Sequence, residues 1–320
     1  MIMPSNLGIE KILFATDGSA SSESAEKLVA YLAKKLGAKV TAIYVASHEL
    51  MHPELHRFAP DAHEYIIPRQ YGQDVSIVTT VHAPKPGYDY PNKEKYPSND
   101  ISTWYHEKGL EVLRQTIDYF KEQGVQADEK FLLHVDPASA IVKEAENGNY
   151  DLIAIGRSGE RGEKPHLGSI AGKVSNHAKI PVLVVGDNKG QVSKILSPVD
   201  GSRNAENAAK YAGMLAQNLG AAMTLIYVQE PRFFDPKPEL GSKVGKSILT
   251  EAAAQAKGPK LDEKLEIGDP AEKIIEAALD GGYDLIVMGG RGHNALTHYL
   301  VGSVSDHILH YSNHSVLLVK

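Results

Sequence analysis

Three glycines and a serine near the end of the sequence, Gly289, Gly292, Gly302 and Ser303, are spaced Gly-x2-Gly-x9-Gly-Ser within MGGRGHNALTHYLVGSVS, residues 288–305. Glycine at this density costs a helix or strand roughly 0.5–1 kcal/mol per residue relative to alanine, so local stability does not select it. The chemistry that such spacing suits is anion binding. Backbone without side chains lets N–H groups approach a phosphate chain closely, and a serine at a helix start can cap the helix and donate its hydroxyl to a phosphate oxygen. A flexible turn with a C-cap glycine would explain one glycine more easily than three around one helix start.

The elements that must position these residues are legible on either side of them. Leu285–Met288 reads as a buried strand that Gly289 leaves at its carboxyl end, and Ser303–Ser312 as a final helix. Gly302 and Ser303 then sit at a helix amino terminus, where unpaired N–H groups and the dipole favour an anion by roughly 0.3–2 kcal/mol. Ile12–Ala15, Val40–Val45, Leu152–Ile155 and Val182–Val185 are further short apolar runs of the buried parallel-strand type. Between the first two, a serine cap, apolar residues at Leu28, Leu32 and Leu36, and a stop at Gly37 spell a helix. The alternation is βαβ. It predicts an α/β protein of two doubly wound domains, each a parallel sheet with helices on both faces and ligands at the carboxyl ends of strands, where strand order reverses.

The plan occurs twice. Lys11–Val45 lies without a gap over Lys194–Val228 with 18 of 35 positions identical, and Asp136–Gly156 matches Asp269–Gly289. The two registers differ by 50 residues, which form a His-, Tyr- and Pro-rich insertion at about 47–102 in the first half. We therefore expect domains at 1–188 and 189–320. The insertion is too polar and proline-rich to pack a core, and a lid, a partner surface and a tolerated loop are all open readings of it. From Trp104 a helix resumes, with Leu110, Leu113, Ile117 and Phe120 as its apolar face.

Gly289-x2-Gly292-x9-Gly302-Ser303, together with VDGS at Val199–Ser202 and IYV at Ile226–Val228, resembles the universal stress protein family in its tandem form. The resemblance implies a five-stranded parallel sheet of order 3-2-1-4-5 in each half. It also implies pairing of the last-strand edges, Val182–Val185 with Val316–Val319, into an intrachain pseudo-dimer. In the nucleotide-binding branch it implies ATP or another adenine nucleotide, with Mg as a possible companion of ATP. Pro198, Val199, Asp200 and the backbone of Val228 would then hold adenine and ribose; Gly289, Gly292, Gly302, Ser303 and Val304 would hold the phosphates. The first half offers Asp17 and Val45 at the adenine end but a shortened loop, Gly156-x2-Gly159-x8-Gly168-Ser169, with Pro165 and four charged residues inside it. It is expected to bind more weakly.

Composition narrows the alternatives. A net charge of -6, with basic residues scattered among acids, argues against nucleic acid as the main partner. No cysteine is present, which excludes thiolate metal sites and cysteine nucleophiles and fits a cytoplasmic setting. No apolar run approaches the ~18 residues of a membrane span, so no membrane insertion is expected. Gly241, Gly245, Lys246 and Ser247 mimic a P-loop but are one residue too close together and follow no strand. His48, His52 and His56, and His307, His310 and His314, read as polar surface residues before metal ligands. No constellation of catalytic groups stands out. The expectation is an adenine-nucleotide-binding (ATP, ADP or AMP) stress-response protein whose occupancy controls a protein partner, with a homodimer possible. A slow metal-dependent ATP hydrolase and a nucleotide-independent scaffold are the alternatives.

Overall fold

The computed structural model describes residues 8–46, 101–133, 136–158, 167–231, 238–256, 258, 260–290 and 301–320. The insertion and its histidines His48, His52 and His56, and the loop glycines Gly159 and Gly292, lie outside them. In chain order the first half runs β1 (Lys11–Ala15), α1 (Ala20–Leu36), β2 (Lys39–Ala46), α2 (Ile101–Glu122), β3 (Ala127–Leu133), α3 (Pro137–Asn147), β4 (Leu152–Gly156), α4 (Ser169–His177) and β5 (Val182–Val185). The second half repeats it: β6 (Lys194–Pro198), α5 (Arg203–Leu219), β7 (Ala222–Gln229), α6 (Pro238–Ala256), β8 (Leu261–Ile267), α7 (Pro270–Asp280), β9 (Leu285–Gly289), α8 (Ser303–Tyr311) and β10 (Ser315–Val319).

All ten strands form one sheet, ordered β3-β2-β1-β4-β5-β10-β9-β6-β7-β8. Each half is thus a five-stranded parallel unit of order 3-2-1-4-5. The halves meet where β5 and β10 pair antiparallel, in the register Val316↔Val184, Leu317↔Leu183 and Leu318↔Val182. The side-chain alternation of the strands divides the core between the faces. Phe14, Tyr44, Ala154, Val185, Tyr227, Val287 and Leu317 point to one face, with α1, α2, α5 and α6. Leu13, Ile43, Ile155, Val184, Ile286 and Val316 point to the other, with α3, α4, α7 and α8. Each core runs unbroken across both halves.

Local chemistry explains the helix limits. Ser19 and Ser202 cap α1 and α5 by accepting from the amides of Ser22 and Ala205, and both helices stop at a left-handed glycine, Gly37 (φ 72°) and Gly220 (φ 70°). Asp136 and Asp269 cap α3 and α7, each followed by a proline at the first turn. Two expectations need correction. Helix α2 begins at Ile101 rather than Trp104, and Leu110 is 40% exposed. Its packed stripe keeps Leu113, Ile117 and Phe120 and adds Val112 and Thr116 in place of Leu110.

Candidate functional site

The order 3-2-1-4-5 makes the first and fourth strands of a half neighbours, and the crevice at their carboxyl ends is the place for a ligand. In the second half this lies between β6 and β9. The chain leaves β6 at Pro198, and the Val199 amide donates to Ile226 O of β7 at 2.9 Å. Backbone groups two residues apart on a strand face the same way, so Val228 directs its N–H and C=O to the side on which β6 has ended. Asp200 follows in a tight turn, its Oδ1 accepting from the Ser202 amide at 2.9 Å, and is exposed. Gly201 completes that turn at φ 80°, with the side chain of Ile248 against it.

At the other end of the crevice Gly302 is the N-cap of α8, and no side chain caps the helix. This corrects the reading of Ser303 as cap, because Ser303 is already the first helical residue and is exposed. The Gly302 amide donates to Gly290 O at 2.8 Å, and the Gly290 amide to Val319 O. The start of α8 is thereby pinned beside the end of β9. The amides of Ser303 and Val304 in the first turn have no intrahelical partner. Gly302 has φ −67° and ψ 153°, a conformation open to any residue, so backbone strain does not demand glycine there.

Gly289 carries a packing constraint in addition to the role its spacing suggests. It is the last residue of β9, and a Cβ on it would lie 3.0 Å from the carbonyl carbon and oxygen of Asn204 in the first turn of α5. Helix-against-strand packing therefore fixes this glycine whether or not a phosphate comes near. Gly156 repeats the arrangement against Ser21.

The first half builds the same frame. The Thr16 amide donates to Ile43 O at 3.0 Å, which turns Val45 to the open side of β2, and Asp17 accepts from the Ser19 amide. Gly168 is the N-cap of α4, again without a side-chain cap, with Ser169 exposed after it. At the loop base the Ser158 amide is taken by Ser21 Oγ at 3.2 Å, and buried Arg157 stands where the second half has Gly290.

Comparison with known proteins decides the family. The universal stress protein family matches over residues 8–66, 68–186 and 191–320. The chain belongs to the universal stress protein family. A universal stress protein of Synechocystis sp. is 22% identical over 314 residues, covering 98% of this chain and 100% of its own length. One from Thermus aquaticus is 35% identical over 133 residues, 39% of this chain and 97% of that protein. The crystal structure of a universal stress protein from Archaeoglobus fulgidus superposes with a TM-score of 0.64 at 22% identity, covering 98% of this chain and 99% of that one. That likeness concerns the fold.

In this universal stress protein the other candidate motifs take ordinary roles. Gly241, Gly245, Lys246 and Ser247 lie inside α6, where Gly245 lets the helix close on Tyr227 and Leu265, and Lys246 is exposed. His307 packs on Tyr311 with ring centroids 4.5 Å apart, His310 Nδ1 meets Asp306 O, and His314 Nδ1 meets Ser312 Oγ. Burial pushes the His314 imidazole below its usual range. Among the described residues no group of three or more His, Asp or Glu is placed to hold a metal ion. Among them, too, no helix is long and apolar enough to cross a membrane. Sequence reasoning missed Ser21 and Asn176, which touch the loops from distant parts of the chain, and Arg157, which reaches His310 O of the other half; none carries a local spacing signal.

Proposed function

We propose that this chain is a cytoplasmic adenine-nucleotide-binding protein, with its halves divided near 188/189 and the second half as the stronger binder of ATP, ADP or AMP. Adenine and ribose would lie along Pro198, Val199, Asp200 and the turned-out backbone of Val228. The phosphates, with Mg where ATP is bound, would lie on the amides after Gly302 and against Gly289, Gly292, Ser303 and Val304. The observation that carries this reading is Gly302: a glycine that neither φ nor a cap bond requires, at a helix start that no side chain caps. The first half keeps Asp17 and Val45, but Ser21 already occupies the Ser158 amide of its loop, which supports weaker binding through Gly156, Gly159, Gly168 and Ser169.

Occupancy would alter the surface around the loop that a protein partner meets. The β5 and β10 edges are used within the chain, so a homodimer would have to form elsewhere. Calorimetric titration of nucleotide-stripped protein with ATP and then AMP tests the reading. About one site per chain is expected, lost in Gly302→Val, whose backbone accepts the side chain without strain. Absence of binding in the unaltered chain, or full binding by Gly302→Val, overturns it.

A further inference from the structure

The helix that starts at each glycine loop ends against the other half. Helix α4 carries Asn176 and α8 carries His310, each eight residues beyond its cap glycine, Gly168 or Gly302. Asn176 Oδ1 accepts from the amide of Val301, the residue before Gly302, at 3.2 Å. Conversely, Arg157 Nη2, just after β4, donates to His310 O at 2.8 Å. Lys320 Nζ, just after β10, donates to Ser175 O in α4. The last turn of each loop helix thus receives a cation from the opposite half, where helix carbonyls and the dipole favour one.

We infer that Asn176 is a positioning residue for the phosphate cradle of the opposite half. This inference rests on the nucleotide reading above. Val301 leads directly into the cap, and two bonds fix that junction: Val301 N–H to Asn176 Oδ1, and Gly302 N–H to Gly290 O. The first aims the chain from outside the second half; the second holds it from within. A helix of nine residues is a stiff rod of about 14 Å, so α4 relays the position of its own glycine cap to Val301 at its far end. The phosphate-binding strength of the second half is therefore set in part by the first. If both halves bind, their occupancies are linked, and such linkage between sites typically runs from about 5-fold to 150-fold in affinity.

The test compares Asn176→Ala with the unaltered full-length chain by titration with ATP and, separately, with adenosine, which has no phosphates. Exchange of the Val301 amide is followed in both. The expected result is a loss of ATP affinity of roughly 5-fold or more with adenosine affinity kept within about 2-fold. Val301 exchange should accelerate while exchange in β9 and β10 does not change. Asn176→Asp, which retains an acceptor oxygen, should restore Val301 protection. Equal losses for ATP and adenosine would mean a general structural effect and overturn the inference. So would unchanged ATP affinity or unchanged Val301 exchange, with the nucleotide reading left standing. An unaltered chain that binds no ATP removes that reading and this inference with it.

Discussion

In the first half Phe14 of β1 meets Phe120 of α2 edge to face, with ring centroids 5.8 Å apart. The matching positions of the second half are Ser197 and Ala256, the latter as far beyond Gly245 as Phe120 is beyond Gly109. Two phenyl rings are thus absent from the second half's share of this core. The second half closes that space with backbone. Gly213 replaces Ala30, and a Cβ there would fall 1.7 Å from Ala256 O, so α5 and α6 are drawn together where α1 and α2 are held apart. Polar groups follow the same division. Glu26 and Thr116 share the α1–α2 interface, and Ala209 and Ala252 stand in their places. One topology tolerates two solutions because packing density, rather than any particular side chain, is what a core conserves.

The largest effect is expected of Phe120→Ala. It should cost about 3–5 kcal/mol, because the α1–α2 spacing has no glycine through which to collapse. Denaturant unfolding measures this, and a loss below about 1 kcal/mol would mean that the first half closes up as the second does. Gly213→Ala comes next, at about 1–3 kcal/mol from overpacking against Ala256, whereas Ala30→Gly in the first half should lose only roughly 0.5–1 kcal/mol. Equal effects at the two positions would erase the distinction. The smallest effect concerns pH. Burial, opposed by the Thr116 hydroxyl and Lys27 and reinforced by Glu23, pushes the Glu26 carboxyl up to about 7. Its folded value lies above its unfolded one, so its contribution to stability is complete below about pH 4.5 and lost as pH rises through about 7. Glu26→Gln should flatten that part of a midpoint-against-pH profile, and an unchanged slope would assign the dependence to another group.

Much of this fold is written locally. The apolar runs became strands with at most a residue added at either end, and Gly37 ends its helix because its positive φ needs no Cβ. Strand order followed from the repeat and its resemblance. Local pattern falls short where the deciding partner is remote. The closeness of Asn204, which constrains Gly289 whatever else it does, shows only in the fold. Leu110 fits a helical period but points outward, because the face of α2 is chosen by Tyr44, Phe131 and the turn at Gly18. Asn176 gives no sign of its bond to Val301 until the sheet brings the two halves edge to edge. Of the candidate site, Asp200 follows β6, Val228 lies near the end of β7 and Gly302 is tied to Gly290 after β9, and the contacts that orient them came only with the fold.

The seam between β5 and β10 has three register pairs. Association between free chains would have to offset roughly 4–15 kcal/mol of lost translational and rotational freedom. Here the segment joining the two halves, between β5 and β6, is itself anchored, with Asn188 Nδ2 donating to Ser24 Oγ and Tyr31 donating to Val192 O. A short tether raises the effective concentration of one half for the other to the millimolar range, so a weak seam suffices. Tethering also removes a constraint that symmetric dimers obey, that a surface must fit its own copy. Each half always faces the same unlike neighbour, so the residue after the fourth strand is free to be arginine in one half and glycine in the other. A paired interface can then specialise, one side bracing and the other binding.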